Sequence, residues 1–157
     1  MIALEITNIK AFTNELFIGD TFNKFLVSEV SISTYCTLNI DGRINKQFYS
    51  LDELETLDSD NFINWSMLKP ICFNIIKGNK LPTKFKITFL LSPKNVNKLL
   101  ESNDIGLNSN NINALALNIR YENNQLTCIT GTSLNIFSMD KSLEELWDST
   151  MQKFIKW

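Results

Sequence analysis

Histidine is absent from the 157-residue chain. That removes the commonest general base, the commonest transition-metal ligand and both the Ser-His and Cys-His nucleophile arrangements. Arginine is scarce: Arg43 and Arg120 stand beside 13 lysines, and the net charge is −2. An overall basic field for nucleic acid is therefore missing, while a local lysine strip on an acidic body stays open. Cys36, Cys72 and Cys128 form no CxxC pair, and each sits among apolar or β-branched neighbours. They read as reduced core residues of a cytosolic protein. No run reaches the roughly 18 apolar residues of a membrane span. Met1 to Glu5 passes straight into alternation, without the basic and apolar regions of a secretory leader. The expectation is a cytoplasmic protein off the membrane.

What is present is ordinary globular material. A hydrophobic fraction of 44% against 20% charged suits one domain over residues 1–157, long enough to bury roughly 70% of its unfolded surface without a staple. Ile2 to Ile6 alternates as a strand. Thr7 or Asn8 caps a helix whose apolar positions are Ile9, Phe12, Leu16 and Phe17. Val30, Ile32, Thr34, Cys36, Leu38 and Ile40 share one face of a long strand. Asp41-Gly42 then reads as a two-residue turn, with Arg43 to Tyr49 as the returning strand. Ser50-Leu51-Asp52-Glu53 has the form of a capping box. A second helical stretch runs from Asn64 to Lys77, with Pro70 as a break or fresh start and Gly78 after its end.

The later part repeats the order. Phe85 to Leu91 is a strand, and Ser92-Pro93 is a hydroxyl cap followed by proline at the first helical position. Leu115, Leu117, Ile119 and Tyr121 share one strand face, Asn123-Asn124 supplies a type I′ turn, and Gln125 to Phe137 returns. Ser142 opens a C-terminal helix by a second capping box. The pattern strand–helix–strand–strand thus occurs twice. The fold class expected is α+β: duplicated βαββ units in a mainly antiparallel sheet, with the helices packed on one face. The halves are 1–49 and 84–137, with a helical insertion at 50–81 and a C-terminal helix at 142–156.

Several segments carry a resemblance: "GDTFNKFLVSE", "NIDGRINKQFYS", "PICFNIIKG", "FKITFLLSP" and "LTCITGTSLNIFSMDKSLEELWD". Through them the chain is identified as a member of an uncharacterised family from low-GC Gram-positive bacteria, a domain of unknown function. That membership implies no activity. A second resemblance is one of pattern. "FKITFLLSPKNVNKLL" and "LALNIRYENNQLTCITGTS" resemble the opening strand and helix, and the following hairpin, of a DNA sliding-clamp unit. Clamp helices line the DNA-facing surface, so the resemblance implies nucleic-acid contact through Lys10, Asn14, Lys94 and Lys98. A clamp ring needs about six such domains, and the insertion and C-terminal helix have no counterpart in the minimal unit.

No catalytic constellation, metal site or cofactor motif emerges. Gly131-Thr132-Ser133 lacks the further glycines and the lysine of a phosphate loop and reads as a strand bulge or a close backbone approach. The acidic run Asp52, Glu53, Glu55, Asp58 and Asp60 lacks the glycine and terminal glutamate of a calcium loop and reads as a solvated helix with its exit. Asp20, Lys24, Ser28 and Glu29 form no recognisable nucleophile arrangement. Trp65 and Trp147 read as core, and Trp157 either packs or is exposed. The leading reading is a non-enzymatic interaction domain with a protein or nucleic-acid partner. The alternative is a small-ligand carrier, or a histidine-free enzyme, with a pocket between the sheet and the insertion lined by Phe62, Trp65, Cys72 and Phe73.

Overall fold

The computed structural model describes residues 1–57, 61–78 and 80–157. Strand β1 (Ala3–Ile6) leads into helix α1 (Ile9–Phe17), capped by the Asn8 side chain, which accepts from the Ala11 N–H. β2 (Leu26–Ser33) and β3 (Thr37–Asp41) follow, then a 3-10 turn at Lys46–Phe48 and the short helix α2 (Leu51–Glu55). β4 (Ile63–Asn64) precedes α3 (Trp65–Ile76). β5 (Lys84–Leu90), α4 (Pro93–Ser102), β6 (Ile112–Glu122), β7 (Gln125–Leu134) and α5 (Ser142–Phe154) complete the order.

The fold is α+β. Among the described residues seven strands form one sheet in the order β1-β7-β6-β5-β2-β3, with β4 beside β2. Among the described residues every pairing of these strands is antiparallel, and the sheet is not closed. Strand alternation explains why the helices lie on one side. Phe85, Ile87 and Phe89 on β5, Leu115, Leu117 and Ile119 on β6, and Leu126 and Cys128 on β7 are buried beneath them. Lys84, Lys86, Arg120 and Glu122 point to the other, uncovered face. The βαββ order occurs twice, as β1-α1-β2-β3 and β5-α4-β6-β7. The two occurrences pair differently: β5 lies beside β6, whereas β1 lies at the far edge beside β7.

The first hairpin corrects the sequence reading. Its turn falls at Thr34–Cys36, and Asp41-Gly42 ends β3 without turning back. The observed register sets Val30 opposite Ile40 and Ile32 opposite Leu38. A turn at Asp41-Gly42 would have set polar Arg43 and Asn45 opposite Ile40 and Leu38. Burial of apolar cross-strand pairs decides between them. Residues 43–49 make one bridge, Arg43 to Phe62, and then the 3-10 turn. Gly42 serves another purpose: a Cβ there would collide with the Val27 carbonyl. Its N–H donates to the Ser28 carbonyl at 2.9 Å, and its own carbonyl accepts from Ile63 N–H at 2.9 Å.

Cys36 sits on the exposed hairpin tip, whereas Cys72 and Cys128 are buried. Gly131 stands in regular register opposite Ala116, and the irregularity in that ladder lies between Ile112 and Ala114. Ser142 lies inside α5 rather than capping it, and Asp140 Oδ1 accepts from its backbone N–H at 2.9 Å. The predicted box at Ser50 and Glu53 is present, as are the Ser92 cap and the Asn123-Asn124 turn, where φ is 53° and 61°. Pro70 lies inside a continuous α3.

The core is rich in aromatic contacts. Phe22 stacks on Phe89 with centroids 5.7 Å apart, Phe25 on Phe89 at 5.3 Å, and Trp65 meets Phe89 edge-on at 5.3 Å. Trp157 packs: its ring meets Phe12 edge-on at 5.5 Å. Among the described residues no helix is long and apolar enough to cross a membrane.

Candidate functional site: a cleft between two helices and a loop

Three segments far apart in sequence converge on a cleft of about 670 Å3. The α1–β2 connection contributes Asp20, Thr21, Asn23, Lys24 and Phe25. The end of β5 and one side of α4 contribute Leu91, Asn95, Lys98, Leu99 and Ser102, and α5 contributes Trp147, Thr150, Met151 and Phe154. The volume lies within the range of pockets that enclose small organic ligands.

Helical spacing builds the two helix walls. Asn95, Lys98, Leu99 and Ser102 recur at three- and four-residue steps along one side of α4, while Val96 and Leu100 turn into the core. Trp147, Thr150, Met151 and Phe154 do the same on α5. The floor continues the core, because Phe25 contacts Phe89 beneath it and Phe154 edge-on at 5.8 Å. Trp147 is anchored by its indole N–H, which donates to the Ala116 carbonyl at 2.9 Å. The loop wall is anchored from α3. Lys69 Nζ donates to the Gly19 carbonyl and to Asn23 Oδ1, both at 2.7 Å, and lies 3.7 Å from Asp20 Oδ1. The cleft is thus apolar below, polar at the rim, and braced before any ligand arrives.

A model of a family of unknown function matches residues 15–157. The chain belongs to that family, DUF5721. The matched span includes every residue lining the cleft. No curated protein and no solved structure matches the chain.

Of the four residues read from the sequence as nucleic-acid contacts, Lys10 and Asn14 are exposed on α1, and Lys94 and Lys98 are exposed on α4. Lys98 alone of these joins the cleft. α1 packs against α3. Of the four read as pocket lining, Trp65 and Cys72 have no exposed surface and belong to the core, with the Trp65 indole N–H donating to the Leu16 carbonyl at 2.8 Å. Phe73 packs half-buried against that core, and Phe62 lines a separate cleft on the uncovered face with Glu29, Asp41, Arg43 and Lys86.

That second cleft is internally neutralised. Arg43 pairs with Asp41 at 2.8 Å, and its hydrogen bonds hold the Asp41 carboxyl below the usual carboxylate range. Lys86 reaches Glu29 at 3.2 Å. Gly131, Thr132 and Ser133 sit within β7 and form no phosphate-binding loop. Asp52, Glu53 and Glu55 lie exposed on α2, where Glu53 completes the Ser50 cap; Asp58 and Asp60 lie outside the described residues. Among the described residues no group of three or more acidic or cysteine side chains is placed to hold a metal ion.

Sequence reasoning placed the core helices and missed the cleft. Trp147 and Met151 read as interior positions of α5, and nothing in a local window brings them against Phe25 or Leu99. The one local signal was the polar stripe Asn95, Lys98 and Ser102 running beside the apolar face of α4.

Proposed function

We propose that the protein is a non-enzymatic binding protein whose ligand occupies the cleft between α4, α5 and the α1–β2 connection. The carrying observation is the cleft itself: an apolar floor of Phe25, Leu91, Leu99, Trp147, Met151 and Phe154 below a rim of polar side chains. Pockets with a mostly apolar lining and a few converging polar groups are the usual form of small-ligand sites. Among the described residues the cleft lining holds Asp20 as its one carboxylate and no cysteine, the chain has no histidine, and Asp20 lies 3.7 Å from Lys69 Nζ. It offers side chains that recognise a ligand rather than a nucleophile and base that transform one.

The test is a thermal-shift screen of the intact chain against small metabolites, with competition against 1-anilinonaphthalene-8-sulfonate. Ligands that bind the folded state raise its melting temperature. A shift that Trp147→Ala abolishes supports the reading, and a flat response across a broad panel, with no dye binding to the native protein, overturns it.

The clamp-like reading is a second proposal, supported by the twofold βαββ order and by four exposed side chains on the helices, Lys10, Asn14, Lys94 and Lys98. Phosphate contacts of that kind give affinity that falls steeply with salt. Anisotropy of a labelled duplex at low salt decides it: no binding ends the nucleic-acid version and leaves the cleft reading standing.

A further inference from the structure

We infer that the occupant of the cleft is an amphipathic anion: an apolar body on the aromatic floor and a single negatively charged head at the rim between Lys24 and Lys98. This rests on the reading of the cleft as a binding site and adds the chemical class of its ligand.

The floor sets the body. Phe25, Leu99, Met151 and Phe154 present hydrocarbon and ring surface, and the Trp147 indole N–H is already spent on the Ala116 carbonyl. Nothing polar on the floor is left to pair with a ligand group placed there. A charged group pressed onto that floor would lose its hydration with no compensating bond, so the charge belongs at the rim.

The rim sets the head, through which of its charges are already committed. Asp20 is the one carboxylate. It accepts from Asn23 Nδ2 at 3.0 Å and lies 3.7 Å from Lys69 Nζ, so its contacts come from its own loop and from the α3 side. Lys24 and Lys98 line the same cleft from two different walls, both exposed, and neither makes an ion pair among the described residues. Asn95 stands one turn before Lys98, half-buried, and its side-chain amide makes no hydrogen bond among the described residues; its backbone N–H is taken by Ser92. Two uncommitted cations and an uncommitted amide donor face one opening. A carboxylate or a phosphate monoester accepts from both kinds of donor. A cationic ligand would meet two lysines unpaired among the described residues and one acid already beside Lys69.

The test titrates the intact, isotope-labelled chain with three probes of one tail length: decanoate, decyl phosphate and decan-1-ol. Chemical shifts of the Trp147 indole N–H and the Asn95 side-chain amide report position, and dissociation constants report the head. All three are expected to perturb Trp147, with the anions about tenfold tighter than the alcohol, as two exposed charge contacts would give. The relative strength of decanoate and decyl phosphate tells which head the rim prefers. The double variant Lys24→Met, Lys98→Met removes the anions' advantage over the alcohol, and its native amide spectrum shows that it is folded; an advantage that survives in the folded variant overturns the assignment of the head to these two lysines. Equal affinity of alcohol and anions in the parent chain overturns the inference and leaves the cleft reading intact. No perturbation of Trp147 by any probe overturns both.

Discussion

Lys69 on α3 donates from Nζ to Asn23 Oδ1 at 2.7 Å, tying a helix of the insertion to the loop that forms one wall of the cleft. The same ammonium donates to the Gly19 carbonyl at 2.7 Å, and the side chain is only 13% exposed. A charged donor with two short bonds in a sheltered position is a strong tether. Lys69→Met keeps the stem and deletes both bonds. It should lower unfolding free energy by about 2 kcal/mol, the scale of a hydrogen bond to a charged group. Urea denaturation measures the loss, and amide resonances of residues 20–24 should shift in the native state. An unchanged urea midpoint with an unchanged loop spectrum would mean that the tether is idle.

The two strand-associated glycines should respond oppositely to alanine. Gly42→Ala drives a Cβ into the Val27 carbonyl, in a segment pinned by hydrogen bonds on both sides. A loss of about 2–3 kcal/mol is expected, as for overpacking that backbone must relieve. At Gly131 an added Cβ would lie 3.7 Å from the Ala116 Cβ, an ordinary contact. There alanine reduces the freedom of the unfolded chain and should stabilise by about 0.5 kcal/mol. Thermal melts of the two variants check the signs; destabilisation of similar size at both sites contradicts the assignment.

Pro70 lies within α3 with its ring exposed. It provides no N–H for the Ser66 carbonyl, so the helical bond between these two positions is missing. Pro70→Ala restores that bond without disturbing buried packing. A gain of about 1–3 kcal/mol is expected, visible as a higher melting temperature. A lower melting temperature would show that α3 depends on the irregularity proline creates.

The cysteines should separate cleanly. Cys36 is exposed, and burial pushes the Cys72 and Cys128 thiols up to about 12. Native protein at neutral pH should release one equivalent of thiol to an aromatic disulfide reagent, and three after denaturation. Cys36→Ser should abolish the native equivalent. The raised values also set a pH dependence. In the unfolded chain these thiols ionise near 9, while in the folded state they hold their protons to about 12. Above pH 9 the unfolded state therefore binds fewer protons than the native one, and stability falls with rising pH across that window. Replacing Cys128 with alanine should flatten part of that fall. An identical alkaline slope in that variant would assign the loss to other groups.

What the sequence determined was local. A hydroxyl before proline placed the start of α4 at Ser92-Pro93, Asn8 capped α1, and Asn123-Asn124 closed the second hairpin. Each of these depends on groups within four residues of one another, so a short window contains the whole cause. Strand alternation likewise determined which residues of β5, β6 and β7 face the helices. Even in the first hairpin, where Asp41-Gly42 suggested the wrong turn, the shared face of Val30, Ile32, Leu38 and Ile40 was legible, because residues of equal parity meet on one side of the observed register. The location of that turn was tertiary. It follows from apolar cross-strand pairing and from the close pass of Gly42 over Val27, a contact whose partners adjoin in space rather than in the chain. The position of β1 beside β7 is tertiary too. So is the cleft, because Lys24, Lys98 and Trp147 belong to three elements whose own patterns require only that each bury an apolar side. Where those sides leave a gap, and which charges remain uncommitted around it, depends on the packing of all three together.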